Sequence, residues 1–193
     1  MGDPVHIPDA TIIQFNTTFA TALTAALANP SNWPNFNALL AAADIPLQLP
    51  GSDATLVGQT ILRLLAYNVL FTNQAQQTLG GQPYDNVTPV RYDRPIDGLT
   101  SIPSISADRS ALAHLQAMYQ TSGRLSSPLV TLFNVNDPIV PSFHQTLYAA
   151  KVAAAGASES LIAQIPSTTF GHCVFSLEEV LAAFGALSEA VRR

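Results

Sequence analysis

The hydrophobic pattern of the chain changes character about halfway along. From Asp9 the apolar positions Ile12, Phe15, Phe19, Leu23 and Leu27 recur at steps of three or four, the spacing of one helix face, and the run stops at Asn29-Pro30. Asp9 is expected to cap that helix. A short helix over 36–43 follows Pro34, and Asp53 can cap a second long helix with Leu56, Val57, Ile61, Leu64, Leu65 and Val69 in register. Leu79-Gly80-Gly81-Gln82-Pro83-Tyr84-Asp85-Asn86 is turn material. The segment 89–104, where prolines and glycines fall among polar residues, is expected to separate a helical, cap-like region (1–103) from the rest (104–193).

Beyond Ser106 helices and strands alternate. Ser106 can cap a helix carrying Leu112, Leu115, Met118 and Tyr119, closed near Gly123. A short buried strand is expected over 129–133, after Pro128. Ser142 can cap a helix with Phe143, Leu147, Ala150 and Ala154 on one face, stopped by Gly156. A second strand over 161–165 should end at Pro166. Ser176-Leu177-Glu178-Glu179 is a capping box. It should open a helix that turns Leu177, Val180, Leu181, Phe184, Leu187 and Val191 inward. The order helix, strand, helix, strand, helix implies an α/β fold with parallel strands and helical crossovers.

Composition sharpens this picture at one point. Charged residues make up 11% of the 193 residues, against about 25% in an ordinary soluble domain. So few charges imply either apolar surface buried against a partner or an exterior rich in Ala, Thr, Asn and Gln. The net charge of −5, with basic residues scattered, gives no footprint for nucleic acid and no basic stripe for a membrane surface. No apolar stretch is expected to reach the roughly 18 residues that span a bilayer. The first residues lack the n- and h-regions of a signal peptide, and no compartment is assigned. Cys173 is the single cysteine. On an extended segment it would point away from His172 and pack as a small hydrophobe. His6, His114, His144 and His172 show no metal-ligand spacing, and no metal or organic cofactor is expected.

Two residues carry the candidate chemistry. Asp137, in Asp137-Pro138-Ile139-Val140-Pro141, follows the first strand, and His172, in Gly171-His172-Cys173, follows the second. Function in an open parallel sheet collects at the carboxyl ends of the strands. Loops leaving neighbouring strands, about 4.8 Å apart, can bring the two side chains together. A carboxylate holding one imidazole nitrogen leaves the other free to act as a general base. His144, beside Phe143, suits packing or a substrate rim, and His114 a helix flank. Trp33, Phe36, Phe15 and Phe19 could line an acyl pocket, though core packing accounts for each.

The segments 128–144 and 170–179 resemble the C-terminal part of bacterial α/β-hydrolases of the esterase/lipase type, as do Gly80-Gly81-Gln82-Pro83-Tyr84-Asp85-Asn86 and the helix over 107–119. The resemblance implies a helical cap followed by the last two strands of the hydrolase sheet. It makes Asp137 the acid and His172 the base of a Ser-His-Asp triad. The chain departs from the pattern in lacking a G-x-S-x-G turn. Gly51-Ser52-Asp53, Ser122-Gly123 and Gly156-Ala157-Ser158 do not follow strands. The implied activity is hydrolysis of a small-molecule carboxylic ester or lactone, with the serine supplied by an absent N-terminal half. The strand over 129–133 would offer its free edge to that half, as a complementary N-terminal chain, or to a second copy in a homo-oligomer. The alternative is a truncated, non-catalytic homologue serving as an oligomeric binding or scaffold module.

Overall fold

The computed structural model describes residues 6–85, 87 and 105–192. The expected linker 89–104 and Asn86 of the turn lie outside the described residues. Contacts divide the chain into two compact units, Met1–Gln120 and Thr121–Arg193.

The first unit is helical. Helix α1 (Asp9–Gln14) passes through a π-helical turn, Phe15–Phe19, into α2 (Ala20–Leu27). The apolar stripe from Ile12 to Leu27 steps by three and then four, four and four, slower than 3.6 residues per turn, and one wide turn absorbs the excess. Pro8, not Asp9, occupies the cap of α1; Asp9 sits in the first turn, where its carboxylate faces the positive end of the helix. Helix α3 covers Trp33–Ala42 and α4 Ala54–Leu79. Asp53 caps α4 by accepting from the Thr55 N–H at 2.8 Å, and Gly80, with φ 72°, ends it in the left-handed conformation.

Leu23, Leu27, Leu40, Ile45, Leu49, Val57 and Ile61 form the core of this unit, with Trp33 and Phe36 packed against it. The approach of α2 to α4 is close: a Cβ at Gly58 would lie 3.0 Å from Leu27 Cδ1. Asn37 pairs with both backbone groups of Leu49 at 2.8 Å, fixing the loop that closes over the core. Helix α5, Arg109–Met118, begins after Asp108 rather than Ser106 and belongs to this unit. The Asp108 carboxylate accepts from the Gln82 N–H at 2.7 Å, so it bridges back to the end of α4 instead of capping its own helix. By length and composition α4 could cross a membrane, its most apolar window having a mean hydropathy of 1.3. This departs from the expectation that no apolar stretch reaches the length that spans a bilayer. Here α4 buries Val57, Gly58, Thr60 and Ile61 within the protein.

The second unit is α/β. Strand β1 (Leu129–Asn136) and strand β2 (Leu161–Phe170) pair in parallel and are joined through α6 (Phe143–Ala154) and a 3-10 turn. The register sets Leu132 beside Ile165, Phe133 beside Pro166, Asn134 beside Ser167 and Asn136 beside Phe170. Both strands outrun their expected ends. β1 continues because the side chains of Asn134 and Asn136 bond to backbone carbonyls around the end of β2. β2 runs through Pro166, whose missing N–H is tolerated in a strand that, among the described residues, is paired on one side only.

Helix α7 (Leu177–Val191) packs on both strands and opens with a complete capping box between Ser176 and Glu179. Its expected orientation is corrected. Leu177, Val180, Leu181, Phe184 and Val191 are exposed, Leu177 by 73% and Phe184 by 66%. The half-buried stripe is instead Glu179, Ala183, Ala186, Leu187 and Ala190. Small alanines let the helix lie close on the sheet, and the larger side chains are left facing out.

Candidate active site

The end of the β-ladder dictates the geometry. Asp137 follows β1 without a gap, and His172 lies two residues past Phe170, the partner of Asn136. The two side chains meet: His172 Nδ1 is 2.8 Å from Asp137 Oδ2. The carboxylate accepts there, so the Nδ1–H donates. Asp137 Oδ1 accepts from the backbone N–H groups of Ile139 at 2.8 Å and Val140 at 3.0 Å. With both oxygens engaged and the side chain 8% exposed, the acid has a single orientation. The imidazole is 34% exposed, and its Nε2 is turned away from the carboxylate.

The loop holding His172 is fixed by a residue the sequence reading did not single out. Asn134, buried inside β1, donates through Nδ2 to the carbonyls of Thr169 at 3.1 Å and Val174 at 2.7 Å, and its Oδ1 accepts from the Val174 N–H at 3.1 Å. The turn between those anchors carries the histidine. Gly171 has φ 127°, and a Cβ there would lie 2.8 Å from Val174 Cγ2, so both backbone conformation and space call for glycine. The available signal was an asparagine directly after the apolar run Leu132-Phe133, a polar group that has to find partners when buried.

Cys173 departs from expectation. Its φ of 56° removes it from the extended conformation on which opposite side-chain directions depend. The thiol is exposed and folds back to place Sγ 3.7 Å from His172 Nε2. The site thus reads Asp137, His172, Cys173 in order of contact.

Behind the loop, the Ser176 N–H donates to Glu179 Oε2 at 2.7 Å and the Glu179 N–H to Ser176 Oγ at 3.2 Å. The hydroxyl of Ser167, buried in β2, also bonds the Glu179 carboxylate. These bonds, Ser167 first and the Ser176 backbone second, hold the Glu179 carboxyl below its ordinary value. They tie the start of α7 to the strand beside the site.

The other sequence candidates lie elsewhere. The ring of His144 is 4.4 Å from that of Phe143, beside a groove of about 720 Å³ along α6 that Asp137 and His172 do not line. His114 Nδ1 is 3.4 Å from the Leu79 carbonyl. His6 is exposed. Trp33 donates from Nε1 to the Leu27 carbonyl at 3.0 Å and packs with Phe36 on the helical core. Among the described residues no three His, Cys, Asp or Glu side chains cluster as metal ligands. The chain matches no protein-family model, no curated protein and no solved structure.

Proposed function

We propose that Asp137 and His172 are the acid and base of a serine ester hydrolase, and that this chain supplies the cap and last two strands of an α/β-hydrolase fold. The reading is carried by one observation: residues just past the ends of two adjacent parallel strands share a 2.8 Å Nδ1–carboxylate hydrogen bond that leaves Nε2 outside it, where the exposed Cys173 Sγ stands 3.7 Å away. In this reading His172 Nε2 takes the proton of a serine hydroxyl supplied by polypeptide outside these residues. The alkoxide attacks the carbonyl of a carboxylic ester or lactone, and the imidazolium, stabilised by Asp137, returns its proton to the leaving alcohol. Water activated by the same nitrogen then releases the acid. No cofactor enters the scheme. Among the described residues β1 pairs with β2 alone. An unpaired apolar edge recruits another strand, which supports a complementary N-terminal polypeptide as the partner.

The test is covalent labelling of the protein translated from the whole reading frame containing these residues. A fluorophosphonate is expected to label one serine before Met1, and His172→Ala to abolish the label. No label, or a label indifferent to His172→Ala, would overturn the proposal, as would an acyl group mapped to Cys173. The exposed apolar face of α7 favours a second reading, a non-catalytic oligomeric scaffold. It predicts a stable self-associated species without ester turnover.

A further inference from the structure

Cys173 is a nucleophile that the ester-hydrolase scheme does not use. Its thiol is free and exposed, and Sγ lies 3.7 Å from His172 Nε2, the nitrogen that the Asp137 carboxylate leaves outside its own bond. Thiol, imidazole and carboxylate thus stand in series. They are a nucleophile, a base within reach of its proton, and a group that fixes the tautomer of the base. With the Nδ1–H donated to Asp137, Nε2 carries the lone pair, and the thiol is the donor beside it. The outer side of the sulfur is open to a reagent from solvent. Cys173 is also the single cysteine of the chain, so any sulfur that bonds to it within one copy of the chain is brought by another molecule.

We infer that Cys173 is a thiolation site for low-molecular-weight disulfides, driven by the His172–Asp137 pair, and that the attached group covers the base. The Sγ proton passes to His172 Nε2, and the thiolate attacks one sulfur of the disulfide. A new Sγ–S bond forms as the reagent's S–S bond breaks. The departing thiolate takes the proton back from the imidazolium and leaves as a thiol. Cys173 is oxidised, the departing half is reduced, and an external thiol reverses both changes. The cysteine count selects a disulfide over a peroxide. A sulfenic acid here would have no second cysteine in the chain to condense with, whereas exchange needs none. A group on Sγ stands beside Nε2, where a serine hydroxyl or a water has to approach. Any effect on ester turnover rests on the hydrolase reading above; the thiolation and the shielding of Nε2 do not.

The test treats the full chain at neutral pH with bis(2-hydroxyethyl) disulfide, an uncharged probe, and follows the adduct by intact mass. One adduct, mapped to Cys173, is expected, forming about tenfold or more faster in the native protein than in the urea-unfolded chain. His172→Gln should remove that acceleration, and Asp137→Asn should reduce it. Thiolated protein should also resist carbethoxylation of His172 by diethyl pyrocarbonate about tenfold or more, with the exposed His6 and His144 as unprotected references. Dithiothreitol should restore the reactivity, and Cys173→Ala should keep it after exposure to the disulfide. Equal rates in native and unfolded protein, or an acceleration that survives His172→Gln, would overturn the inference. Carbethoxylation of His172 that is unchanged by thiolation would overturn it too. Retained His172-dependent thiolation in a protein that never turns over ester would sink the hydrolase reading alone.

Discussion

The two units solve the problem of holding a loop in different ways. In the helical unit Leu40 and Val57 are fully buried, and the loop around Leu49 is fastened over a contiguous apolar core by Asn37. In the α/β unit Val152 is the buried large hydrophobe of the described residues, and the loop carrying His172 is held by Asn134 and the Ser167–Glu179–Ser176 bonds. One unit rests on packing, the other on directed polar contacts, with apolar side chains to spare on its outside. Polar contacts position a side chain in angle as well as distance, and the Asp137–His172 bond needs both.

The largest expected effect breaks the packed unit. Leu40→Ala should cost about 2–5 kcal/mol, read as a lower denaturant midpoint, while the downfield His172 Nδ1 proton resonance persists. Loss of that resonance together with the helical signal would show that the two units do not hold independently. Next, Asn134→Ala strands the Val174 N–H and two carbonyls, and is expected to cost about 1–3 kcal/mol. The same resonance should broaden or vanish. A sharp, unchanged signal would mean that packing, not the asparagine, fixes the loop.

Much of this organisation is legible in the sequence, and the failures have physical causes. Caps at Asp53 and Ser176 are local chemistry, and both hold as read. The strand ends were missed because Asn134, Asn136 and Pro166 look like terminators in one dimension; only the partner strand supplies their reason to continue. The face of α7 was misjudged because periodicity marks an apolar stripe without saying what lies against it. Cys173 was misread for want of one backbone angle.

A smaller effect is expected from Ser176→Ala, about 1 kcal/mol for the lost cap. It should be accompanied by a change in the acid limb of stability. Because hydrogen bonds from Ser167 and Ser176 lower the carboxyl of Glu179 in the folded protein, its contribution is complete above the unfolded value. It is lost as pH falls through the folded one. Glu179→Gln should therefore flatten the stability profile below about pH 4.5 and leave neutral pH behaviour nearer to Ser176→Ala than to wild type. A profile that keeps its full acid slope in Glu179→Gln would remove Glu179 from the clamp. The smallest effect belongs to the surplus face: Phe184→Ser should change stability by no more than about 0.5 kcal/mol. A large loss would show that the face is covered in solution.

Asn134 has one more consequence. Asp137 is spliced directly onto β1, while His172 is leashed to the same strand through that buried amide, so acid and base share one mounting rail. Sliding or tilting the rail, as when a neighbouring strand docks along its far side, carries both passengers together. Their 2.8 Å separation is thereby independent of how that strand is tilted, and under the proposed hydrolase reading the imidazole would keep its orientation when a nucleophile arrives.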